Sequence, residues 1–172
     1  GATVLIQKPL GRDLEEARRI VAVCEQRQLT AAVNFQLRFS PNMLALADAL
    51  ERQLLGTVRD VELRVNVLTP WQRWDFLKCI PRHEILYHSI HYLDLLRSLL
   101  GEPQSVVCRV SRNPALPDHS DTASVTLLDY GPQRRVLVST NHAHYFGPRH
   151  QMSALKVEGT SVSEGLDDGV GI

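Results

Sequence analysis

The chain has 172 residues, which is enough for one sizeable domain or for parts of two. Its 19 basic and 19 acidic side chains balance, and this excludes the strongly charged surface by which a protein attracts nucleic acid or an anionic membrane. No apolar run reaches the roughly 20 residues of a membrane span. Cys24, Cys79 and Cys108 form no CxxC pair, which favours reduced, buried thiols in a cytoplasmic protein.

The first forty residues have the pattern of a βαβ unit. Residues 3–6 and 31–35 are short apolar runs that predict buried strands. Between them, Asp13 is a predicted N-cap, with Glu16 in the capping-box position, for a helix that continues to about Gln28. Strands joined in this way are parallel. One unit is too small for a doubly wound sheet, so the pattern indicates the last part of a larger α/β domain.

A larger α+β unit is predicted to follow. Ser40-Pro41 opens a helix that Gly56 ends. Residues 58–67 alternate between apolar and polar, which predicts a strand whose dry face carries Val61, Leu63, Val65 and Val67. An ordered loop at 69–82 leads into a helix at 84–100. Four more strands are predicted, at residues 105–110, 122–129, 134–142 and 152–158.

Two units therefore share the chain. Residues 1–39 hold the βαβ unit, and residues 40–159 hold helices on an open sheet that is mostly antiparallel or mixed. Residues 160–172 are rich in Gly, Ser and Asp and are expected to be a poorly ordered tail.

The predicted helix at 84–100 concentrates titratable side chains. At 100° per residue, one stripe carries Glu84, Tyr87, His88, His91 and Asp94. So many titratable groups on one face indicate a helix that lines a site. The spacing of Glu84, His88 and His91 is also that of metal ligands, with His142, His144 or His150 as further donors. The HExxH pattern is missing, and we predict no metal site.

Several motifs in this chain resemble those of the Gfo/Idh/MocA oxidoreductases. Gln7-Lys8-Pro9 is similar to the family's Glu-Lys-Pro, and His91 and Asp94 match its HxxD helix. Three further segments agree with the family in order and spacing: residues 34–41, 54–58 and 99–103. Two departures stand out, since Gln7 replaces the family's Glu and Tyr87 stands where many members have Asp.

The resemblance implies a two-domain enzyme with an N-terminal Rossmann domain for NAD(P) and a C-terminal α/β domain with an open sheet. Residues 1–39 would be the remnant of the Rossmann domain. The family's G-x-G-x-x-G fingerprint is not in this sequence. We therefore expect a fragment of the full-length enzyme that does not bind NAD or NADP by itself.

The resemblance also implies the catalytic residues. Lys8, with Pro9, would face the cofactor and polarise the substrate oxygen, and a cis Lys8-Pro9 bond would aim the ammonium inward. His91 would take the hydroxyl proton as hydride leaves the same carbon. Tyr87 and His88 would contact substrate, and Glu84 would be the hydrogen-bond partner of the two histidines.

Further substrate contacts are predicted outside this helix. Trp71 and Trp74 are either residues that pack the core or the loop, or a wall against a sugar-like ring. Asn34 and Arg38 follow a strand at its carboxyl end, where ligands of α/β proteins collect. His142 and His144 alternate along a strand, and we expect them on a solvated face.

The sequence thus predicts an NAD(P)-dependent oxidoreductase that acts on a sugar, cyclitol or related polyol. A sugar-sensing protein on the same fold is the first alternative, and a metal-dependent hydrolase or lyase is the second. The expected partner is a second copy of the chain, bound through the open sheet in a two-fold contact. That face is predicted to carry Val61, Leu63, Val65 and Val67, extended by Val106, Cys108 and Val110.

Overall fold

A computed structural model describes residues 3–161 of the chain. The helices are α1 (Leu14–Gln26), α2 (Pro41–Glu51) and α3 (Ile90–Leu100). The strands are β1 (Val4–Gln7), β2 (Ala31–Asn34), β3 (Asp60–Asn66), β4 (Ser105–Ser111), β5 (Ala123–Asp129), β6 (Arg135–Asn141) and β7 (Met152–Glu158). Residues 162–172, most of the predicted tail, lie outside the described residues, whereas Thr160 and Ser161 are hydrogen-bonded to Thr57 and Leu55.

The βαβ unit is confirmed. β1 and β2 are parallel, with Val4 opposite Ala31, and the Asp13 side chain caps α1 by accepting a 2.7 Å hydrogen bond from the backbone of Glu16. The predicted burial of these strands is wrong, because a two-stranded sheet beside one helix leaves most apolar side chains accessible. Leu5, for example, is 70% exposed.

The second sheet has five strands in the order β4-β5-β6-β3-β7. β3 and β6 are parallel, and the other neighbours are antiparallel, so the sheet is mixed. Val61, Leu63 and Val65 of β3 point to one face, where they pack with Leu46 and Leu95 from α2 and α3. The boundary between two domains at residues 39 and 40 stays a prediction.

The open face of this sheet is not the predicted one. The core helices cover the valines of β3, and Val106 and Val110 share that face by register with exposed side chains. The opposite face is the open one, and its exposed apolar side chains are Val107, Val125, Leu127 and Met152. The alternation of β3 was correctly predicted, but its dry side is turned toward the helices.

The thiols are less buried than predicted. Cys108 is exposed on β4, Cys24 is partly exposed on α1, and the side chain of Cys79 lies outside the described residues. Over residues 3–161, no helix is both long enough and apolar enough to cross a membrane.

The predicted helix at 84–100 consists of two segments. Residues Ile85–Ser89 form a π-turn, and α3 begins at Ile90. A π-turn adds a residue to the helical repeat and so rotates the preceding side chains relative to the following ones. The predicted single stripe is therefore wrong: Glu84 points to the sheet, while Asp94 points to Arg38 of the βαβ unit.

Candidate active site

Lys8 lies directly after β1 and reaches the π-turn. The Lys8-Pro9 peptide bond is cis, as predicted. Lys8 Nζ donates a hydrogen bond to the backbone carbonyl of Tyr87 and lies 5.7 Å from the centre of the Tyr87 ring. Burial disfavours the charged ammonium and lowers the pKa of Lys8. Lys8 thus occupies a half-buried position beside Tyr87.

His91 lies in the first turn of α3 and faces the βαβ unit. Its ring packs edge-on against Phe35, with 6.3 Å between ring centres. Burial, followed by the positive charge of Lys8, lowers the pKa of His91 to about 4, although Asp94 acts in the opposite direction. The imidazole is therefore neutral near pH 7 and is able to accept a proton. Its buried Nδ1 has no hydrogen-bond partner among the described residues.

A pocket of about 200 Å³ opens beside Lys8. Its walls are formed by Lys8, Trp74, Phe76, Leu77, Tyr87 and His88. The structure thus brings together four residues predicted for the site. Phe76 and Leu77 were not predicted. The signal that could have identified Phe76 is its position two residues after Trp74, in the loop that leads to the histidine helix. A larger apolar cavity of about 310 Å³ between α1 and β1–β2 is lined by neither Lys8 nor a histidine.

His88 forms the inner wall of this pocket. Its ring packs against His142 and Trp71, with ring centres 4.3 and 4.8 Å away. Burial, together with the charges of His142 and Lys8, lowers the pKa of His88 to about 2. His88 is therefore a neutral ring in the physiological range.

Glu84 does not partner His88 or His91 as predicted. It is fully buried, and its Oε1 accepts hydrogen bonds from Ser89 Oγ at 2.5 Å and Thr140 Oγ1 at 2.8 Å. His142 Nδ1 lies 3.1 Å from the same oxygen. Burial acts to raise the pKa of Glu84, but the interactions with His142, Ser89 and Thr140 outweigh it and lower that pKa. The cause of the misplacement is the π-turn, which turns Glu84 toward the sheet.

Trp71 is fully buried, so it offers no surface to a substrate. Its Nε1 donates a 2.9 Å hydrogen bond to the carbonyl of His142, and its ring packs against four histidines, His83, His88, His119 and His142. Trp74, in contrast, keeps 40% of its surface exposed at the pocket. Only Trp74 is placed as a wall residue.

The predicted solvated face for His142 is also wrong. His142 lies just beyond β6 and is only 2% exposed, because Trp71 and His88 cover it. His144 is partly buried, and its backbone N–H donates to the carbonyl of Val67. Within residues 3–161, no group of three or more His, Cys, Asp or Glu side chains is arranged to hold a metal ion.

Arg38 and Asn34 make protein contacts and do not line the pocket. Arg38 Nε donates to Asp94 Oδ2 at 2.6 Å, and Nη2 donates to Oδ1, in a two-pronged ion pair that joins the βαβ unit to α3. Asn34 Nδ2 lies 3.4 Å from Gln7 Oε1 on the neighbouring strand. Arg38 holds the helix that carries His91, so its effect on the site is through position.

Residues 43–161 match the sequence family described as GFO/IDH/MocA C-terminal domain. The matched range begins in α2 and ends after β7, so it covers the whole five-stranded sheet and the helix of His91.

Two similar proteins extend this comparison. The uncharacterized oxidoreductase YhhX of Escherichia coli is 30% identical over 145 residues, which are 83% of this chain and 40% of that protein. D-apiose dehydrogenase of Paraburkholderia graminis is 27% identical over 74% of this chain and 34% of its own length. The chain therefore spans less than half the length of these relatives.

A solved structure shows the same fold. The oxidoreductase from Agrobacterium radiobacter, in complex with NAD+, L-tartaric acid and magnesium, superimposes with a TM-score of 0.79 at 22% identity. The match covers 91% of this chain and 46% of that one, so it includes both the βαβ unit and the five-stranded sheet.

Proposed function

Because the chain belongs to the GFO/IDH/MocA family of oxidoreductases, we propose that it carries the substrate site of an NAD(P)-dependent enzyme. The reaction is hydride transfer between nicotinamide and a secondary alcohol or carbonyl of a sugar, cyclitol or related polyol. One observation carries the proposal: Lys8 and His88 line the same pocket, and the neutral His91 is close enough to Lys8 for the ammonium charge to lower its pKa.

Lys8 and His91 divide the chemistry. In the oxidation direction, His91 accepts the hydroxyl proton while hydride leaves the same carbon, and Lys8 donates a hydrogen bond to the oxygen that becomes the carbonyl. The substrate oxygen replaces the Tyr87 carbonyl as the acceptor for Lys8 Nζ. A partly desolvated ammonium is a stronger donor to that oxygen than a fully hydrated one.

Lys8 and Pro9 fit the nicotinamide end of the cofactor, because they stand at the carboxyl end of β1, where ligands of α/β folds collect. When bound, the cofactor supplies the hydride acceptor or donor. The phosphate-binding fingerprint is not in this sequence, so binding of NAD or NADP belongs to the full-length protein that carries this segment.

The pocket walls suit a sugar-like ring. Trp74 and Phe76 offer exposed aromatic surface to the C–H face of such a ring, while Tyr87 and His88 offer polar groups to its hydroxyls. The relative that is a D-apiose dehydrogenase supports a sugar as the substrate class.

A sugar-sensing protein without turnover remains the second candidate, because Gln7 and Tyr87 depart from the family pattern. Gln7 has no ionisable group and contacts Asn34, and Tyr87 offers its backbone carbonyl to Lys8. Retention of Lys8, which lines the pocket, and of His91 on α3 favours the enzyme.

The proposal includes a homodimer formed through the open sheet face and a cytoplasmic location. Val107, Val125 and Leu127 form an exposed apolar patch of the kind that marks protein contacts. Cys24 and Cys108 are unpaired thiols, as expected in a reducing compartment.

The direct test is turnover by the full-length protein. We expect NAD or NADP reduction with at least one member of a panel of aldoses, cyclitols and sugar acids, and substrate-dependent loss of activity in His91→Ala. Saturable binding of a sugar without reduction of either cofactor would instead favour the sensing protein.

A further inference from the structure

Behind the pocket, a buried carboxylate and a histidine stand in line with His88. We propose that Glu84 and His142 are positioning residues that hold the His88 ring at the pocket wall, a role that rests on the proposed function. The three side chains form a series from the protein interior to the pocket: Glu84, then His142, then His88.

Glu84 is the fixed end of this series. It has no exposed surface, and Ser89 Oγ and Thr140 Oγ1 both donate to its Oε1, at 2.5 and 2.8 Å. Ser89 closes the π-turn, and Thr140 belongs to β6, so the carboxylate is tied to two separate elements. A buried carboxylate without such donors would be strongly unfavourable, and the third neighbour on the same oxygen is His142 Nδ1 at 3.1 Å.

His142 is the middle member, and its backbone is fixed on both sides. Its N–H donates to the Thr122 carbonyl at 2.8 Å, and its carbonyl accepts from Trp71 Nε1 at 2.9 Å. His142 Nδ1 lies 3.1 Å from Glu84 Oε1 in an ion-pair contact, although it forms no hydrogen bond within residues 3–161. The nearby carboxylate favours a proton on Nδ1 and so biases both the tautomer and the orientation of the ring. The ring then packs on His88 at 4.3 Å with an angle of 36° between the planes.

His88 is the member that reaches the pocket. Charged or titratable groups face it from every side: His142 from the end of β6, Lys8 from β1, His83 from the preceding loop, and His91 from α3. Glu84 is the carboxylate that compensates His142 on the interior side. Without it, the His142 ring would lose its fixed orientation, and His88 would lose one of the two rings against which it packs.

The same region offers a matched control. Asp121 is also a buried carboxylate, and its Oδ1 lies 4.0 Å from Nδ1 of the buried His83, which also packs on Trp71. His83 is not among the residues that line the pocket. Asp121→Asn therefore removes a comparable buried charge beside Trp71 without breaking the series that ends at His88.

The test combines ring NMR of the 172-residue chain with kinetics of the full-length protein. Glu84→Gln keeps the volume and an acceptor for Ser89 and Thr140, and Thr140→Val is a milder variant that keeps the carboxylate. Circular dichroism confirms folding.

Imidazole 15N spectra should show His142 protonated on Nδ1, and Glu84→Gln should move the ring signals of both His142 and His88. Asp121→Asn should move those of His83 and leave His88 in place.

Outer partners of metal-ligating histidines are worth about 10–100-fold in affinity or activity, and a partner that only orients a pocket histidine should lie at the lower end of that range. We expect Glu84→Gln to lower kcat/KM for the sugar by roughly tenfold, to change its pH profile, and to leave KM for the cofactor unchanged; Asp121→Asn should do none of these. Ring signals of His88 that do not respond to Glu84→Gln or Thr140→Val would overturn the positioning role. Responsive ring signals with unchanged sugar kinetics would overturn its part in the reaction, whereas an inactive wild type would contradict the proposed function itself.

Discussion

Lys8 Nζ donates a hydrogen bond to the backbone carbonyl of Tyr87, and this contact joins the end of β1 to a π-turn 79 residues further along the chain. The π-turn is therefore more than a local irregularity of the helix. It places a carbonyl next to the ammonium, turns Glu84 toward the sheet and leaves His88 at the pocket. π-turns occur frequently at functional sites.

Loss of the ammonium should reduce turnover strongly. In the full-length protein, we expect Lys8→Met to lower kcat by roughly 10²-fold or more, since a positioned acid or base contributes ~10²–10⁴-fold. Methionine keeps most of the side-chain volume, so the pocket should remain. Steady-state kinetics on the best sugar of the panel are the measurement, with the exposed His150→Gln as the control. Near-wild-type turnover in Lys8→Met would remove Lys8 from the mechanism.

Stability of the chain should fall as the pH falls below neutral. The pKa of His91 is lowered from 6.5 to about 4, and that of His88 to about 2, in both cases chiefly by burial. Between pH 6.5 and 4, the unfolded chain therefore binds protons that the folded chain excludes, and the free energy of unfolding decreases. For His88 the loss continues to lower pH.

Urea unfolding at a series of pH values measures this effect. His91→Gln should give a shallower decrease between pH 6.5 and 4 than the wild type. The exposed His150→Gln is the control and should reproduce the wild-type curve. Identical curves for His91→Gln and the wild type would mean that His91 titrates normally in the folded chain.

The Arg38–Asp94 ion pair should hold the βαβ unit against α3. Asp94 is buried, so Arg38→Met leaves a desolvated carboxylate with its main donors removed, which typically costs about 1–3 kcal/mol. Thermal or urea unfolding gives the measured loss. Arg52→Met removes an exposed pair with Asp48 on α2 and should cost less than about 1 kcal/mol. Equal losses of unfolding free energy in the two variants would show that the buried pair stabilises the chain no more than an exposed pair does.

Self-association should depend on the open face of the five-stranded sheet. Leu127→Lys places a charge within the patch of Val107 and Val125, and we expect it to convert dimers into monomers at low micromolar concentration. Val23→Lys, on the exposed surface of α1, is the matched control. Analytical ultracentrifugation distinguishes the two states, and a Leu127→Lys chain that still dimerises would place the interface elsewhere.

Much of this fold was predictable because its elements have clear periods and end signals. The alternation of Val61, Leu63 and Val65 predicted β3, and Asp13 predicted the start of α1. Lys8 and His91 were predicted from motifs; Lys8 lies in the βαβ unit, and His91 lies on the side of α3 that faces that unit.

The remaining features depend on contacts that a local pattern does not contain. The residues of the π-turn have the same apolar spacing as an α-helix, so nothing local predicted that Glu84 would face Thr140 of a strand far along the chain. Trp71 and His142 are buried because they cover each other, and the local sequence around either residue does not contain that contact. Which face of β3 meets the helices was likewise decided by tertiary packing.

Transfer of a hydrogen label tests the central claim most directly. A sugar substrate deuterated at the hydroxyl-bearing carbon is incubated with NAD or NADP and the full-length protein, and the reduced cofactor is analysed by mass spectrometry. We expect deuterium in the nicotinamide of the wild-type reaction, and a rate of labelling at least about 10²-fold lower in His91→Ala. Turnover without deuterium in the cofactor, or undiminished labelling in His91→Ala, would contradict hydride transfer assisted by His91.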